Sequence, residues 1–251
     1  VLNGEKHWIS GAGDPRCKVY ITMVKTGGED DPKHQRHSMI VVPADTPGIE
    51  ILRAMQVMGM DDAPHGHMHM RFTDVRVPAE NLLGEENKGW NYAKFLLGNE
   101  RTGIAGIGMV KADLTRLHQI ALTERRNGKP MIEDPLFQAR LARLEIDRRA
   151  LELTNLRMLT TGGGDGTIPS ILKIKGSQLQ QRSVELQMEA VGPYALPWQS
   201  DAMEPAWNGK PVGPDHVKAR TPSYFDRRKT TIYGGSTEVQ KNIISKILLG
   251  L

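Results

Sequence analysis

The sequence has little cysteine and no long apolar run, and each absence excludes a class of protein. Its one cysteine, Cys17, excludes an intrachain disulfide framework and argues against a zinc site built from thiolates. No run of about 18 apolar residues occurs, so no membrane span is predicted. The 33 Lys and Arg against 29 Asp and Glu form no basic block, so nucleic-acid binding is not expected.

The first third of the chain has the pattern of β structure. Before residue 85, short apolar runs rich in β-branched residues alternate with turn residues, and no helical period persists. Strands are predicted at 19–24, 38–42, 50–52 and 68–72. We therefore predict an antiparallel β-domain over residues 1–85, which lacks a strand partner at its N-terminal edge.

After residue 85 the spacing of the apolar residues becomes helical. Helices are predicted at about 88–126, 135–161, 167–190 and after Ser236. Asp134 and Ser236 stand where N-caps are expected, and residues 193–222 are rich in proline and predicted as a loop. The fold class is therefore α+β, with the β-domain followed by a C-terminal antiparallel four-helix bundle over residues 86–251.

Two local patterns resemble ligand sites and are given plainer interpretations. Gly162–Gly166 lacks the Lys-Ser/Thr of a phosphate-binding loop and follows a helix, so a flexible connection is predicted. His65, His67 and His69 alternate and would share one face of a strand, where they could bind zinc or nickel. No cysteine or clear carboxylate ligand is near them in sequence, so we predict a polar strand face and no metal site.

Three segments carry motifs of a known family. Residues 1–10 contain Asn-Gly-x-Lys-x-Trp followed by Ile-Ser, residues 72–84 lead into the helices, and residues 232–240 contain Tyr-Gly-Gly-Ser-Thr-Glu. In this order and spacing they resemble the acyl-CoA dehydrogenase family of flavoproteins. The resemblance covers nearly the whole chain, and its helical half is most similar to the large subunit of pimeloyl-CoA dehydrogenase. Family members have a preceding helical domain, so we expect this chain, which begins at Val1, to be part of a longer protein.

The resemblance implies a reaction and its participants. Family members remove a proton from the α-carbon of an acyl-CoA and a hydride from the β-carbon, which passes to N5 of FAD, as in fatty-acid β-oxidation. The product is a trans-2-enoyl-CoA, and the electrons pass on to an electron-transfer flavoprotein. A homo- or hetero-tetramer is implied, in the cytoplasm or in the mitochondrial matrix of a eukaryote. A non-catalytic partner subunit, a binding-only fragment and an acyl-CoA oxidase remain as alternatives.

The catalytic base is predicted on a helix. In many family members it is a glutamate directly after the tyrosine of the C-terminal turn, but here that position is Gly234. A minority branch carries the base in an x-Glu-Arg motif on the first long helix, which Glu100 and Arg101 match. The resemblance implies Glu100 as base, Arg101 beside it, and the Gly234 N–H as a donor to the thioester oxygen. The alternatives are a surface carboxylate paired with Arg101 or Lys94, a surface arginine, and a glycine needed only for its backbone angles.

The predicted flavin contacts fall into two groups. Trp8 and Ser10 match the strand that contacts the isoalloxazine ring, although an ordinary strand would also accommodate them. The contacts expected for the ADP half are Arg125, Gln187, Ser236 and Glu238. Two of these matches depart from the family pattern, because Asn127 stands where a phenylalanine is usual, and Ala190 and Val191 replace paired glycines after Gln187. Arg125 equally suits a helix C-terminus, where the dipole favours a cation.

Overall fold

The computed structural model describes residues 1–60, 63–161, 166–204 and 206–251, and it describes their side chains except at 98–102 and 104. The chain forms two compact units, Val1–Asn99 and Glu100–Leu251. The first unit holds the two three-stranded sheets and the second holds most of the helices and a short hairpin, which confirms the predicted α+β fold class. The domain boundary predicted at residue 85 stays a prediction. Within the described residues, no helix is both long and apolar enough to cross a bilayer.

The β unit contains two three-stranded antiparallel sheets. Its strands are β1 (Leu2–Ser10), β2 (Val19–Lys25), β3 (His37–Pro43), β4 (Ile49–Met55), β5 (His67–Val75) and β6 (Leu82–Leu83). One sheet has the order β1-β5-β4 and the other has the order β2-β3-β6. All four strands predicted from the sequence are present, and the motif at residues 1–10 forms β1.

Strand β5 separates a buried face from an exposed face. Met68, Met70 and Phe72 are buried and belong to an apolar cluster with Val42 of β3 and Val75. Side chains alternate along a strand, so His67, His69 and Arg71 point to the opposite, solvent side. The predicted polar strand face is therefore present for His67 and His69, whereas His65 lies in the turn before β5.

Six α-helices follow in the described chain. They are α1 (Gly89–Ile104), α2 (Ile107–Thr123), α3 (Pro135–Thr161), α4 (Ile168–Val191), α5 (Arg220–Asp226) and α6 (Thr237–Leu249). Two capping predictions are confirmed. The Asp134 carboxylate accepts a hydrogen bond from the backbone N–H of Leu136 at 2.9 Å, and the Ser236 hydroxyl accepts one from Val239 at 3.4 Å.

The single helix predicted at 88–126 is wrong, because it breaks into α1 and α2. Gly106 has a φ of +62°, a left-handed conformation that ends one helix and precedes the next. At the break, a side chain on Gly106 would collide with the amide of Gln180 on α4. A Cβ on Gly176 of α4 would lie 2.7 Å from the Cα of Ala105. The two glycines therefore allow the α1–α2 connection to lie directly against α4.

The predicted loop at 193–222 is partly helical. It contains short 3-10 turns, and its last three residues begin α5, which leads into a further 3-10 segment at Arg227–Thr231. The core of the helical unit joins α2, α3 and α4 through apolar residues such as Leu117, Leu144 and Leu172. The glycine-rich connection predicted at 162–166 lies, except for Gly166, outside the described residues.

Candidate active site

The C-terminal turn is built from two left-handed glycines. Gly234 and Gly235 have φ values of +64° and +87°, and they place Ser236 as the N-cap of α6. The amide of Gln240, which is only 2% exposed, donates a hydrogen bond to the carbonyl of Gly234 at 3.3 Å from inside the unit. A side chain at Gly235 would occupy the position of that amide, so the turn requires glycine there.

The backbone N–H of Gly234 has no hydrogen-bond partner among the described residues. A backbone donor in this state can bind an oxygen of a ligand, as the predicted role at the thioester requires. The neighbouring Tyr233 is partly buried, and this burial raises the pKa of its phenol, so the ring stays neutral at ordinary pH.

Ser236 and Glu238 lie together in the first turn of α6. A backbone N–H, the hydroxyl of Ser236 and the positive charges of Lys241 and Lys173 lower the pKa of the Glu238 carboxyl. This carboxylate is therefore ionised at neutral pH, and it suits sugar hydroxyls better than phosphates because two negative groups repel.

Lys173 is a functional candidate that the sequence did not indicate. Its side chain on α4 is fully buried, and its ammonium has no hydrogen-bond partner in the part of the chain that the structure describes. Burial lowers the pKa of Lys173, and the charge of Glu238 partly opposes this. The only sequence signal for this burial is a spacing. Ser170 lies three residues before Lys173, so the two share one helix face, and Ser170 is equally buried.

Gln187 lies inside the helical unit. It is fully buried on α4, donates to the backbone carbonyl of Asp113 at 2.8 Å and accepts from Arg220 at 2.5 Å. Burial raises the pKa of Asp113 and, together with the nearby charge of Arg116, lowers that of Arg220 to about 10. Both functional groups of the Gln187 amide are thus engaged inside the helical unit, and its contact with a cofactor stays a prediction.

Arg125 does not lie in a helix. Helix α2 ends at Thr123, and Arg125 begins a short β-hairpin whose strands have two residues each. The hairpin turns at Asn127 and Gly128, and both of these residues have a positive φ. Its guanidinium donates to the backbone carbonyl of Gly128 at 3.0 Å. The asparagine that replaces the usual phenylalanine therefore has a conformational reason, because Asn-Gly favours this tight turn.

The two predicted contacts on β1 lie beside His67 of β5. Trp8 sits at an irregularity of the strand with a φ of +62° and is 51% exposed. The ring of His67 lies 6.0 Å from that of Trp8, and its Nδ1 is 2.8 Å from the hydroxyl of Ser10. An exposed indole beside a hydrogen-bonding hydroxyl offers both an apolar and a polar contact to a planar ring.

Glu100 and Arg101 fall within helix α1, as predicted, but their side chains lie outside the described residues. The three histidines predicted to share a face have different partners. His65 pairs with Asp14 at 2.8 Å, His67 with Ser10, and His69 with Glu5 at 2.7 Å.

Comparisons with known proteins identify the family. The model of the acyl-CoA dehydrogenase C-terminal domain matches residues 87–249, and that of the acyl-CoA dehydrogenase middle domain matches residues 1–75. The chain therefore belongs to the acyl-CoA dehydrogenase family, whose members are oxidoreductases.

Individual relatives agree with this assignment. The chain is 37% identical over 180 residues to acyl-CoA dehydrogenase family member 10 of Mus musculus, a match covering 70% of this chain and 17% of that protein. The crystal structure of acyl-CoA dehydrogenase from Geobacillus kaustophilus superposes with a TM-score of 0.80 and 24% identity, covering all of this chain and 61% of that one. The ChsE4-ChsE5 complex from Mycobacterium tuberculosis gives a TM-score of 0.80 and 25% identity, over 100% and 61% of the two chains.

Proposed function

We propose that the full-length protein is an FAD-dependent acyl-CoA dehydrogenase that uses Glu100 as its base. Family membership supports the reaction class, and Gly234 supports the location of the base. Gly234 offers a backbone N–H but no carboxylate at the position where many family members carry the base, so the base that takes the α-proton must come from elsewhere. Glu100 in α1 matches the motif of the branch that carries its base on this helix.

Three described groups, which lie in separate units of the chain, support the proposal of a bound flavin. The exposed indole of Trp8 and the hydroxyl of Ser10 suit the ring, and the Ser236–Glu238 turn suits the sugar hydroxyls of the ADP half. Arg125 and Gln187 are the further predicted contacts. When bound, FAD supplies the acceptor for the hydride from the β-carbon.

The chain's own groups act on the acyl thioester. The Glu100 carboxylate takes the α-proton, and the N–H of Gly234 donates a hydrogen bond to the thioester oxygen, where negative charge increases as the proton leaves. Arg101 helps to place the base and the thioester. General-base catalysis of this kind contributes about 10²- to 10⁴-fold to the rate.

Flavin bleaching tests the proposal directly. Full-length protein loaded with FAD is mixed anaerobically with a panel of linear, branched and dicarboxylic acyl-CoA esters, and the flavin absorbance is followed by stopped flow. We expect at least one ester to bleach the wild type. Glu100→Gln should bleach at least about 100-fold more slowly while it retains FAD and binds the ester.

Glu86→Gln is the matched control, because Glu86 is an exposed glutamate outside the predicted site. It should bleach at the wild-type rate. If Glu100→Gln bleaches at the wild-type rate, the assignment of the base is refuted. Absence of bleaching by every ester, with FAD bound, would refute the dehydrogenase proposal.

A non-catalytic partner subunit is the second candidate. The position of Gln187 favours it, because the amide expected at the ADP half is engaged by Asp113 and Arg220 inside the helical unit. The ChsE4-ChsE5 structure is of a complex between two named components. If this alternative holds, the protein alone will not retain FAD, and co-expression with a related subunit will restore both flavin and bleaching.

The assembly and the electron acceptor belong to the same proposal. We expect a homo- or hetero-tetramer arranged as a dimer of dimers, which light scattering tests. We expect it in the cytoplasm or the mitochondrial matrix, which cell fractionation tests. An electron-transfer flavoprotein should accept the electrons. Oxygen consumption without added acceptor would indicate an acyl-CoA oxidase.

A further inference from the structure

The exposed face of the β1-β5-β4 sheet brings together three side chains that can bind a metal ion. They are Glu5 and His7 on β1 and His69 on β5, and one donor atom from each lies within 4.8 Å of the others. Glu5 and His69 are 64 residues apart in sequence, so only the pairing of the strands brings them together.

The register of the strands explains the cluster. Glu5 lies opposite Arg71, Lys6 lies opposite Met70, and the pairing then shifts before Ile9. The register of Glu5 and Lys6, continued by one residue, places His7 beside His69. Glu5 and His7 are two residues apart on one strand and so share a face, and directly opposed residues on neighbouring strands have Cβ atoms about 5 Å apart.

The contacts within the cluster orient the donors. Nε2 of His69 lies 2.7 Å from Oε2 of Glu5, and the rings of His7 and His69 meet edge to face with centroids 4.0 Å apart. Nε of Arg71 donates to the other oxygen of Glu5, Oε1, at 2.9 Å. Arg71 therefore holds the carboxylate so that Oε2 faces the imidazoles.

The donor atoms of the cluster also suit a cation. Two imidazoles and one carboxylate make a donor set that zinc commonly takes in proteins, with the remaining position open to water. Magnesium and calcium instead prefer sites built entirely from oxygen.

We propose that Glu5, His7 and His69 form a binding site for one transition-metal ion of the zinc type. The ion would replace the hydrogen bond between Glu5 and His69 and would link β1 to β5. The two other histidines of the segment lie outside this cluster, since His65 pairs with Asp14 and His67 pairs with Ser10. The site is separate from the proposed dehydrogenase function and does not depend on it.

Zinc titration of the EDTA-treated full-length protein tests the proposal. Calorimetry and elemental analysis after equilibrium dialysis should show one zinc ion per chain at micromolar zinc. The same measurements with magnesium should show no bound ion. Glu5→Gln, His7→Asn and His69→Asn should each weaken zinc binding by at least about tenfold. The thermal midpoint should rise with zinc in the wild type and should not rise in His7→Asn.

His65→Asn and His67→Asn are the matched controls and should bind zinc as the wild type does. Glu5 and His7 are exposed, so replacing them should leave the fold intact, as circular dichroism in EDTA would check. The proposal is overturned if the wild type binds no stoichiometric zinc. It is also overturned if the control variants lose as much affinity as the three ligand variants.

Discussion

Each unit of the chain holds a group of polar side chains, and the two groups differ in burial. In the β unit, Glu5, His69 and Arg71 lie on the outer face of a sheet and bond to one another. In the helical unit, polar residues of α4 lie inside, and Lys173 and Gln187 are fully buried. The outer cluster can exchange its partners for water or a ligand, whereas the inner residues have to be satisfied by their neighbours or stay unsatisfied.

The close contact of α4 with the α1–α2 connection predicts the largest effect. Gly176→Ala places a methyl group 2.7 Å from the Cα of Ala105, where backbone must move, so we expect a loss of about 2–3 kcal/mol in the free energy of unfolding by urea. Gly108→Ala in α2 is the control, because a Cβ there meets nothing within 4 Å. It should gain about 0.5 kcal/mol. Equal effects of the two variants would contradict the close packing.

Replacing the buried lysine of α4 gives an intermediate effect of the opposite sign. Lys173→Met keeps the length of the side chain and removes a buried ammonium without a described hydrogen-bond partner, so we expect a gain of about 1 kcal/mol at pH 7. The exposed Lys175 on the same helix is the control, and Lys175→Met should change the free energy of unfolding by less than about 0.5 kcal/mol.

The pH dependence sharpens this test. Because burial lowers the pKa of folded Lys173 below 10.5, the unfolded chain binds more protons between the two values. The wild type should therefore become more stable as pH rises through that range, and Lys173→Met should lose this contribution. An unchanged slope in the variant would show that the ammonium is not desolvated.

The outer cluster predicts the smallest effect on stability. The lowered pKa of Glu5 means that its ionised carboxylate stabilises the fold above the ordinary value of 4.5, and this is lost as pH falls through the folded value. Glu5→Gln, melted in EDTA between about pH 3 and pH 5, should show a shallower loss than the wild type. The cluster is exposed, so the change should be smaller than that caused by Lys173→Met. A larger change would mean that the outer cluster is structural.

The fold was predictable where one pattern decided the outcome. Short apolar runs between turn residues indicated the strands, and Asp134 and Ser236 indicated two helix starts. The break at Gly106 was not predictable, because five glycines lie in the segment predicted as one helix and the contact with Gln180 selects one of them.

The site was predictable only as far as motifs extend. The tyrosine-glycine turn and the Glu100-Arg101 pair are visible in sequence, whereas the burial of Lys173 and Gln187 depends on how α4 packs. The cluster of Glu5 with His69 depends on strand register. The sequence alone does not tell which strands pair, so it does not fix that register.

The central claim, that Glu100 takes the α-proton, is tested most directly by isotope exchange. Full-length protein with FAD is incubated in deuterated buffer with an acyl-CoA that binds but is not oxidised, and loss of the α-hydrogen is followed by NMR. The wild type should catalyse the exchange, and Glu100→Gln should do so at least about 100-fold more slowly at equal ligand occupancy. Equal exchange rates in the two proteins would contradict the account.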